Sequence, residues 1–564
     1  MNDNSESIFK SKKLKTPAKP QFNVIIGYFY NLNFILGTGF LGIPFTFYNA
    51  GILPSLLTLT LLSVTGCITA LWMLEILGRA RVLNKLRGGT SKENLINDNS
   101  DDIVEYNSNI YVISQKRKFE MTELSEIMFG LVGKIIFVII MIIYSCLTLW
   151  SMAAVVGTSW STNIPINTSV VIECNATDFT KTYFPIETRC FNFYRICVSV
   201  FGLVVTLLSL LELNEQKYIQ AVFSILRFVA LTSIIIFSIF IIIHNISTPH
   251  NPLPPTLQNT NSTSVDLLLR FDIKWWLVTI PVLVYAQNLH QGIPSLTHPV
   301  MPKRRLKPML IATFITTWSF YTILGIVVSF AFMSLVNENA TLNWDYFTHA
   351  ANNIGVKIIS YFIILFPSLD IISAYPLVVT TLANNVYLVL MRRDTSESIL
   401  SWKDRIGKLI FRLFFAFIPL LGALFISNLV TVLNFAGLFA FMMLFLLPIS
   451  CQFQSKRLCK KEIEDFRVDD IQTIFEPLAT RPESIGTESH FSEQTVSPAR
   501  EYSPLRQRSV KKCALKDMLL NIEAKTPYSG WYSSNIVVII VSLVAGVCFA
   551  LAVGSVIYTL IGKD

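Results

Sequence analysis

Charge is scarce in this chain: Asp, Glu, Lys and Arg together make up 15% of its 564 residues, and there are only 6 histidines. A water-exposed globule of ordinary composition carries about a quarter of its residues as charges, so a soluble enzyme is a poor reading. Also missing are a Walker loop, a zinc-protease helix, a nucleophile elbow and any Cys/His run with metal-ligand spacing. Each of those chemistries needs its residues at fixed spacing, and the polar residues inside the apolar stretches are too scattered to form a catalytic set. The chain therefore reads as a non-enzyme with no resident cofactor. Its N-terminal sequence MNDNSESIFKSKKLK has no apolar centre, which excludes a cleavable signal peptide and leaves insertion to the first apolar stretch itself.

What is present is hydrophobic: 52% of residues are apolar and 41 are Phe. A helix crossing a bilayer needs about 20 mostly apolar residues. Eleven stretches qualify, at 24–47, 51–78, 133–160, 195–212, 220–243, 272–293, 308–335, 354–386, 407–427, 432–450 and 534–560. The expected division is a tail at 1–23, a ten-helix core at 24–451, a linker at 452–530 and an eleventh span with a short outer end at 531–564. Within the core, 82–120 is polar and Asn/Asp-rich. Like 452–530, it has the composition of a disordered connection.

Basic residues fix an orientation, because short cytoplasmic loops collect Lys and Arg. FKSKKLKTPAK, QKRK, MPKRRLK, MRRD and SKRLCKK all fall in alternate loops, which places the N-terminus in the cytosol. This bias accounts for the net charge of +9 without a nucleic acid partner. The N-x-S/T acceptors Asn167, Asn175, Asn245, Asn261 and Asn339 all lie in loops assigned to the opposite side, where glycosylation occurs. Cys174 and Cys190 share the outer loop 161–194, where a disulfide between them is stable; two free thiols are the alternative. The remaining cysteines, Cys67, Cys146, Cys197, Cys451, Cys459, Cys513 and Cys548, lie in spans or on the basic side.

Two spans are poor helices. NFILGTGFLGIPF in the first carries Gly37, Gly39 and Pro44, and the sixth runs through Pro281, Gln287, Asn288, His290, Gly292 and Pro294. Glycine lowers helix propensity and proline removes a donor, so both backbones are expected to unwind. Unwound backbone at membrane depth is tolerated where it lines a cavity. Interruptions at corresponding places in two halves point to a transporter site between inverted repeats. The expected fold is an all-α polytopic membrane protein, with a 5+5 inverted repeat and one extra C-terminal helix.

The N-x-x-x-G-x-G-x-x-x-x-P pattern beginning at Asn33, the Pro-Ser-Leu-x-x-Pro run at 294–299 and a proline-containing eighth span resemble the amino acid/auxin permease family. FEMTELSEIMFG at 119–130, LHQGIPSLTHPV at 289–300 and FPSLDIISAYPLVVTTLANN at 366–385 look closest to its transmembrane protein 104-like branch. The resemblance implies a leucine-transporter-like fold and secondary transport of small neutral amino acids, coupled to protons or sodium. It also implies a cation-ligand role for Asn33, the position where sodium-coupled relatives carry an Asn ligand. An interhelical hydrogen bond is the other reading of that residue.

Site residues follow from depth and chemistry. Amides exposed at Gly37–Gly39 suit a substrate carboxylate, as helix ends suit anions, and Thr38 adds a hydroxyl; close helix packing is the competing role for these glycines. Asp370 stands near the middle of the eighth span with Ser373 close by. A carboxylate at that depth is a functional candidate, as cation counter-charge, as proton carrier or as half of a structural pair. The family has Ser or Thr there, which favours protons. His290 is a candidate partner for it, or an ordinary interfacial ring, and Tyr285 and Gln287 are candidates for the substrate wall. Arg227 is read as a long side chain reaching the cytosolic interface. Glu120, Glu123 and Glu126 are spaced to form one acidic stripe on a cytosolic helix, able to pair with basic loops during gating; with Glu75, Arg79 and Arg81 at the end of the second span, the reading taken is a solvated charged face. The sequence at 502–505, Tyr-Ser-Pro-Leu, matches a sorting signal and adds endosomal or lysosomal membranes to the plasma membrane as destinations. A non-transporting amino acid sensor of the same fold and an ion channel remain as alternatives.

Overall fold

Backbone in hydrocarbon must satisfy its own N–H and C=O groups, so each long apolar stretch becomes a helix. The computed structural model describes residues 22–87, 119–164, 189–210, 217–248, 264–350, 353–391, 402–475 and 526–561, with Ile113 and Leu253 as isolated positions. Among them nine helices are long and apolar enough to cross a membrane, ten if one bent pair counts as a single span. The first span is that pair: α1 (Val24–Ile35), a 3-10 turn (Thr38–Gly42) and α2 (Ile43–Ala50), bent by 50°. The next four are α3 (Ile52–Arg87), α4 (Met121–Asn163), α5 (Arg189–Leu208) and α6 (Lys217–Ser247). After the short α7 (Ser264–Leu269), the predicted sixth span consists of α8 (Ile273–Ala286), a 3-10 turn (His290–Gly292) and α9 (Ile293–Thr297). With 14 and 5 residues these pieces fall short of a crossing by length, so the expected count of eleven is not reached by that measure.

The chain continues as α10 (Leu306–Phe332), α11 (Asp345–Ala350), α12 (Ile354–Leu390) and α13 (Trp402–Phe425). Then come α14 (Leu429–Phe441), a π turn (Met442–Leu446), α15 (Leu447–Phe475) and α16 (Asn535–Ile561). The helix that carries the tenth span does not stop near 450. It runs on to Phe475 and takes in the start of the tract expected to be unstructured; residues 476–525 lie outside the described residues.

Local chemistry explains where the helices begin and bend. Asp272, Asn353 and Asn428 cap α8, α12 and α14 by accepting from Lys274, Gly355 and Thr431 amides, since the first turn of a helix has no carbonyl partners. In α3 the hydroxyls of Thr58, Thr60, Thr65 and Thr69 donate back to carbonyls one turn earlier, so these polar side chains cost little in hydrocarbon. Gly130 sits in α4 at φ 71°, a conformation that glycine adopts without strain. It separates the segment carrying Glu123 and Glu126 from the apolar span. Large apolar side chains such as Leu57, Ile236, Ile243, Ile536 and Leu543 remain exposed on the helices' outer faces, as suits contact with lipid in a multi-pass membrane protein.

The two broken spans lie against one another at the centre, the neighbourhood that the inverted-repeat reading requires. A Cβ on Gly39 would stand 2.6 Å from Ala286 Cα, and one on Gly437 of α14 would stand 2.1 Å from the Pro281 carbonyl oxygen. At the end where the chain enters α1, strand β1 (Phe22–Asn23) pairs in parallel with β2 (Val300–Met301), tying the start of the first span to the end of the sixth.

The segment between α10 and α12 folds inward, with Trp344 fully buried against Phe332 at 5.1 Å between ring centroids. Glu338 in that segment is 8% exposed and accepts a 2.7 Å hydrogen bond from Asn428 Nδ2. Burial pushes its carboxyl up from 4.5 to about 7. The folded chain therefore holds a proton there that the unfolded chain has released, and between those two values stability falls as pH rises. The melting temperature should drop as pH goes from about 5 to about 8, and Glu338→Gln should flatten that slope. An unchanged slope in the variant would show that Glu338 is not the group responsible.

Candidate functional site

Breaking the first span at Ile35 leaves carbonyls at the end of α1 without helical donors. Three side chains from elsewhere converge there. Arg227 of α6 donates through Nη1 to the carbonyl oxygens of Asn33 and Leu36, at 2.6 Å each. Its Nη2 donates to a carboxylate oxygen of Asp370 on α12. Tyr321 of α10 brings its hydroxyl within 3.2 Å of the Ile35 carbonyl and 2.8 Å of the Ala286 carbonyl, so one group joins the ends of α1 and α8. A helix C-terminus carries partial negative charge, which a guanidinium offsets.

Beside this knot lies a cavity of about 30 Å³, lined by Gly37, Thr38, Met152, Arg227, Phe366 and Asp370 among others. That is room for roughly two waters and too little for an amino acid as the side chains stand. The Thr38 hydroxyl is 2.9 Å from Ser151 Oγ of α4 and 3.0 Å from the Tyr285 hydroxyl of α8. Ser151 and Tyr285 are 3.3 Å apart. These three hydroxyls link the two broken spans to α4 at one point.

The glycines divide between the two roles open to them. Gly37 has no atom within 4 Å of a built Cβ and faces the cavity, whereas Gly39 is pressed on Ala286. Gln287 is 1% exposed and neither of its amide atoms has a hydrogen-bond partner, an arrangement costly in a buried site unless a ligand or water completes it.

Residues 21–476 match the family model described as transmembrane amino acid transporter protein. The chain belongs to that family. It is similar to transmembrane protein 104 of Homo sapiens, 24% identical over 64% of this chain and 74% of that one. It is also similar to the transmembrane protein 104 homolog of Drosophila melanogaster, 24% identical over 82% and 94%. The Dictyostelium discoideum homolog is 25% identical over 78% and 89%. A solved structure of a Na+-coupled sialic acid symporter in a substrate-bound outward-open state aligns with 12% identity, covering 76% of this chain and 86% of that one at a TM-score of 0.39.

Membership of a transporter family puts weight on the residues that meet at the break, and several expected ones do not. The Asn33 side-chain oxygen is buried without a partner, while its backbone carbonyl accepts from Arg227 Nη1. Ser373 donates to the Asp370 carbonyl one turn back, so its hydroxyl is engaged within α12. His290 is fully buried, with Nε2 2.9 Å from Thr69 Oγ1 of α3. Asp370 pairs with Arg227, and the His290 ring is enclosed by protein.

Arg227 does not snorkel. Its side chain is 8% exposed and turned inward to Asp370. Two opposite charges within spans were legible in the sequence, and the cost of each alone in hydrocarbon was the signal that they pair. Ser151 and Tyr321 gave no such signal, since hydroxyls are ordinary in membrane helices.

The solvated-face reading also fails at the end of α3. Glu75 is 0% and Arg79 2% exposed, joined at 2.7 Å. Arg79 donates to Gln452 Oε1, Gln452 donates to Glu75, and Ser533, just before α16, donates to Glu75 as well.

Asn339 caps the 3-10 turn Ala340–Trp344 and is 3% exposed. A bulky glycan does not fit on it in this fold. Asn245 exchanges both side-chain hydrogen bonds with the Leu253 backbone. Asn167, Asn175, Asn261, Cys174 and the 502–505 motif lie outside the described residues, and Cys190 stands in the first turn of α5.

Proposed function

We propose that this membrane transporter is a secondary active carrier of small neutral amino acids, coupled to a proton or sodium gradient, which alternates access by rocking around its broken first and sixth spans. The observation that carries the reading is the pair of helix breaks packed side by side, with open Gly37 and the Thr38 hydroxyl bordering one small cavity. A neutral substrate fits because the charges lining that cavity, Arg227 and Asp370, already neutralise one another, and the remaining walls include Met152, Phe366 and Ile371. The Gly37–Gly39 amides would take the substrate carboxylate, and Tyr285 and Gln287 would complete the wall.

The basic loops support a cytosolic N-terminus in the plasma membrane or an endosomal or lysosomal membrane. The same topology supports a Cys174–Cys190 disulfide and glycans at Asn167, Asn175 or Asn261 on the far side.

Purified protein in proteoliposomes should accumulate radiolabelled neutral amino acids when a proton or sodium gradient is imposed, with saturation. Saturable binding without accumulation would support a sensor instead, and large single-channel currents a channel.

A further inference from the structure

We propose that Arg227 is a resident cation: its guanidinium occupies the carbonyl site at the end of α1 where a coupling sodium would otherwise bind, so that sodium is not a ligand of this site. The assignment bears on the coupling ion of the transport reading above, and its geometry stands apart from it.

An α-helix interrupted near its C-terminal end offers carbonyl oxygens and a negative dipole to a cation. In this chain the carbonyls of Asn33 and Leu36, three residues apart, both point at one Nη1 at 2.6 Å. The counter-charge that such a site needs, Asp370 of α12, is bonded to the same guanidinium through Nη2. A metal ion at that place would have to find several oxygens, and the three in view are spent on Arg227. It would also stand beside a fixed positive charge in a medium that screens charge poorly. The side-chain oxygen of Asn33, the group expected to hold a cation, has no partner. The nearby Ser373 hydroxyl is turned to the Asp370 carbonyl. Tyr321, the other side chain at the α1 end, donates its hydroxyl and brings no negative charge. The two carbonyls and the carboxylate at the position thus accept N–H bonds, and arginine, which stays charged at all working pH, fills it permanently.

The test measures thermal unfolding of the purified full-length protein with sodium chloride replaced stepwise by choline chloride. The wild type should melt at the same temperature in both salts. Arg227→Ala should become sodium-dependent, with a melting temperature that climbs as sodium rises, because a ligand that binds the folded state stabilises it. Arg227→Lys, which keeps a cation in place, should stay indifferent to sodium. Specific stabilisation of the wild type by sodium would overturn the proposal, as would a folded Arg227→Ala with no sodium response. Should Arg227→Ala fail to fold, wild-type uptake decides: equal rates in sodium and choline are expected, and a rate that falls about tenfold on sodium removal overturns it. Absence of any amino acid uptake, alongside a sodium response in Arg227→Ala, would sink the transport reading and leave the resident cation standing.

Discussion

Asp370→Asn should abolish gradient-driven accumulation while leaving exchange of substrate across the membrane. The carboxylate is the group in the site able to gain and lose a proton against a permanently charged arginine, and asparagine holds it in the neutral state. The same change leaves Arg227 without its counter-charge. With side-chain exposures of 8% and 13% for the two partners, water screens little of that loss, and removing one member of a buried pair costs about 3–5 kcal/mol. The Asn33 and Leu36 carbonyls still accept from Nη1, so the lower end of that range applies. A cycle with Arg227→Met and the double variant separates the two effects. If the pair is coupled, the double variant should be more stable than the sum of single losses predicts, by about 1–3 kcal/mol. Unchanged accumulation in a well-folded Asp370→Asn would remove this residue from coupling.

Gly39→Ala should cost far more stability than Gly37→Ala, although the two positions are two residues apart. A methyl at Gly39 would meet backbone, Ala286 Cα at 2.6 Å, as well as Tyr285 Cδ1 at 2.9 Å. Backbone cannot swing aside as a flexible side chain does, and overpacking of this kind costs about 1–3 kcal/mol or more. It would also separate the broken spans where the Thr38 and Tyr285 hydroxyls meet at 3.0 Å. At Gly37 a methyl meets nothing within 4 Å. Gly37→Ala should therefore fold as the wild type does and lose uptake, by narrowing the cavity that Gly37 lines and obstructing its amide. Melting temperature and uptake, measured on both variants, distinguish a packing glycine from a site glycine. Equal stability losses at the two positions would refute the distinction.

The positions of the spans were legible in the sequence because hydrocarbon enforces them: a run of about 20 apolar residues has one stable backbone solution in a bilayer. Both broken spans were legible too, since glycine and proline act on the backbone locally and need no neighbour to do so. The extents of the elements were less so. The tenth helix runs to Phe475 although its sequence turns polar near 452, because polar residues such as Gln452 and Ser455 find partners on α3, and tertiary packing sustains a helix where apolar periodicity ends.

Partners were decided by the tertiary structure. Composition placed Asp370 and Arg227 within spans, yet not on facing sides of α12 and α6. The proposed pairing of Asp370 with His290 and the snorkelling of Arg227 both failed on this point. At Asn33 the group that meets Arg227 is the backbone carbonyl, which every residue possesses and no side-chain pattern reveals. The charged end of α3 read as solvated because its cover, Gln452 and Ser533, comes from residues 377 and 458 positions away.

The sequence by itself determined that this chain is a bundle of membrane helices with two interruptions at its centre, since those features follow from local backbone chemistry and the solvent. Which charge neutralises which, and which glycine faces space and which faces backbone, depended on helices distant in the chain packing together, and only the tertiary structure decided them.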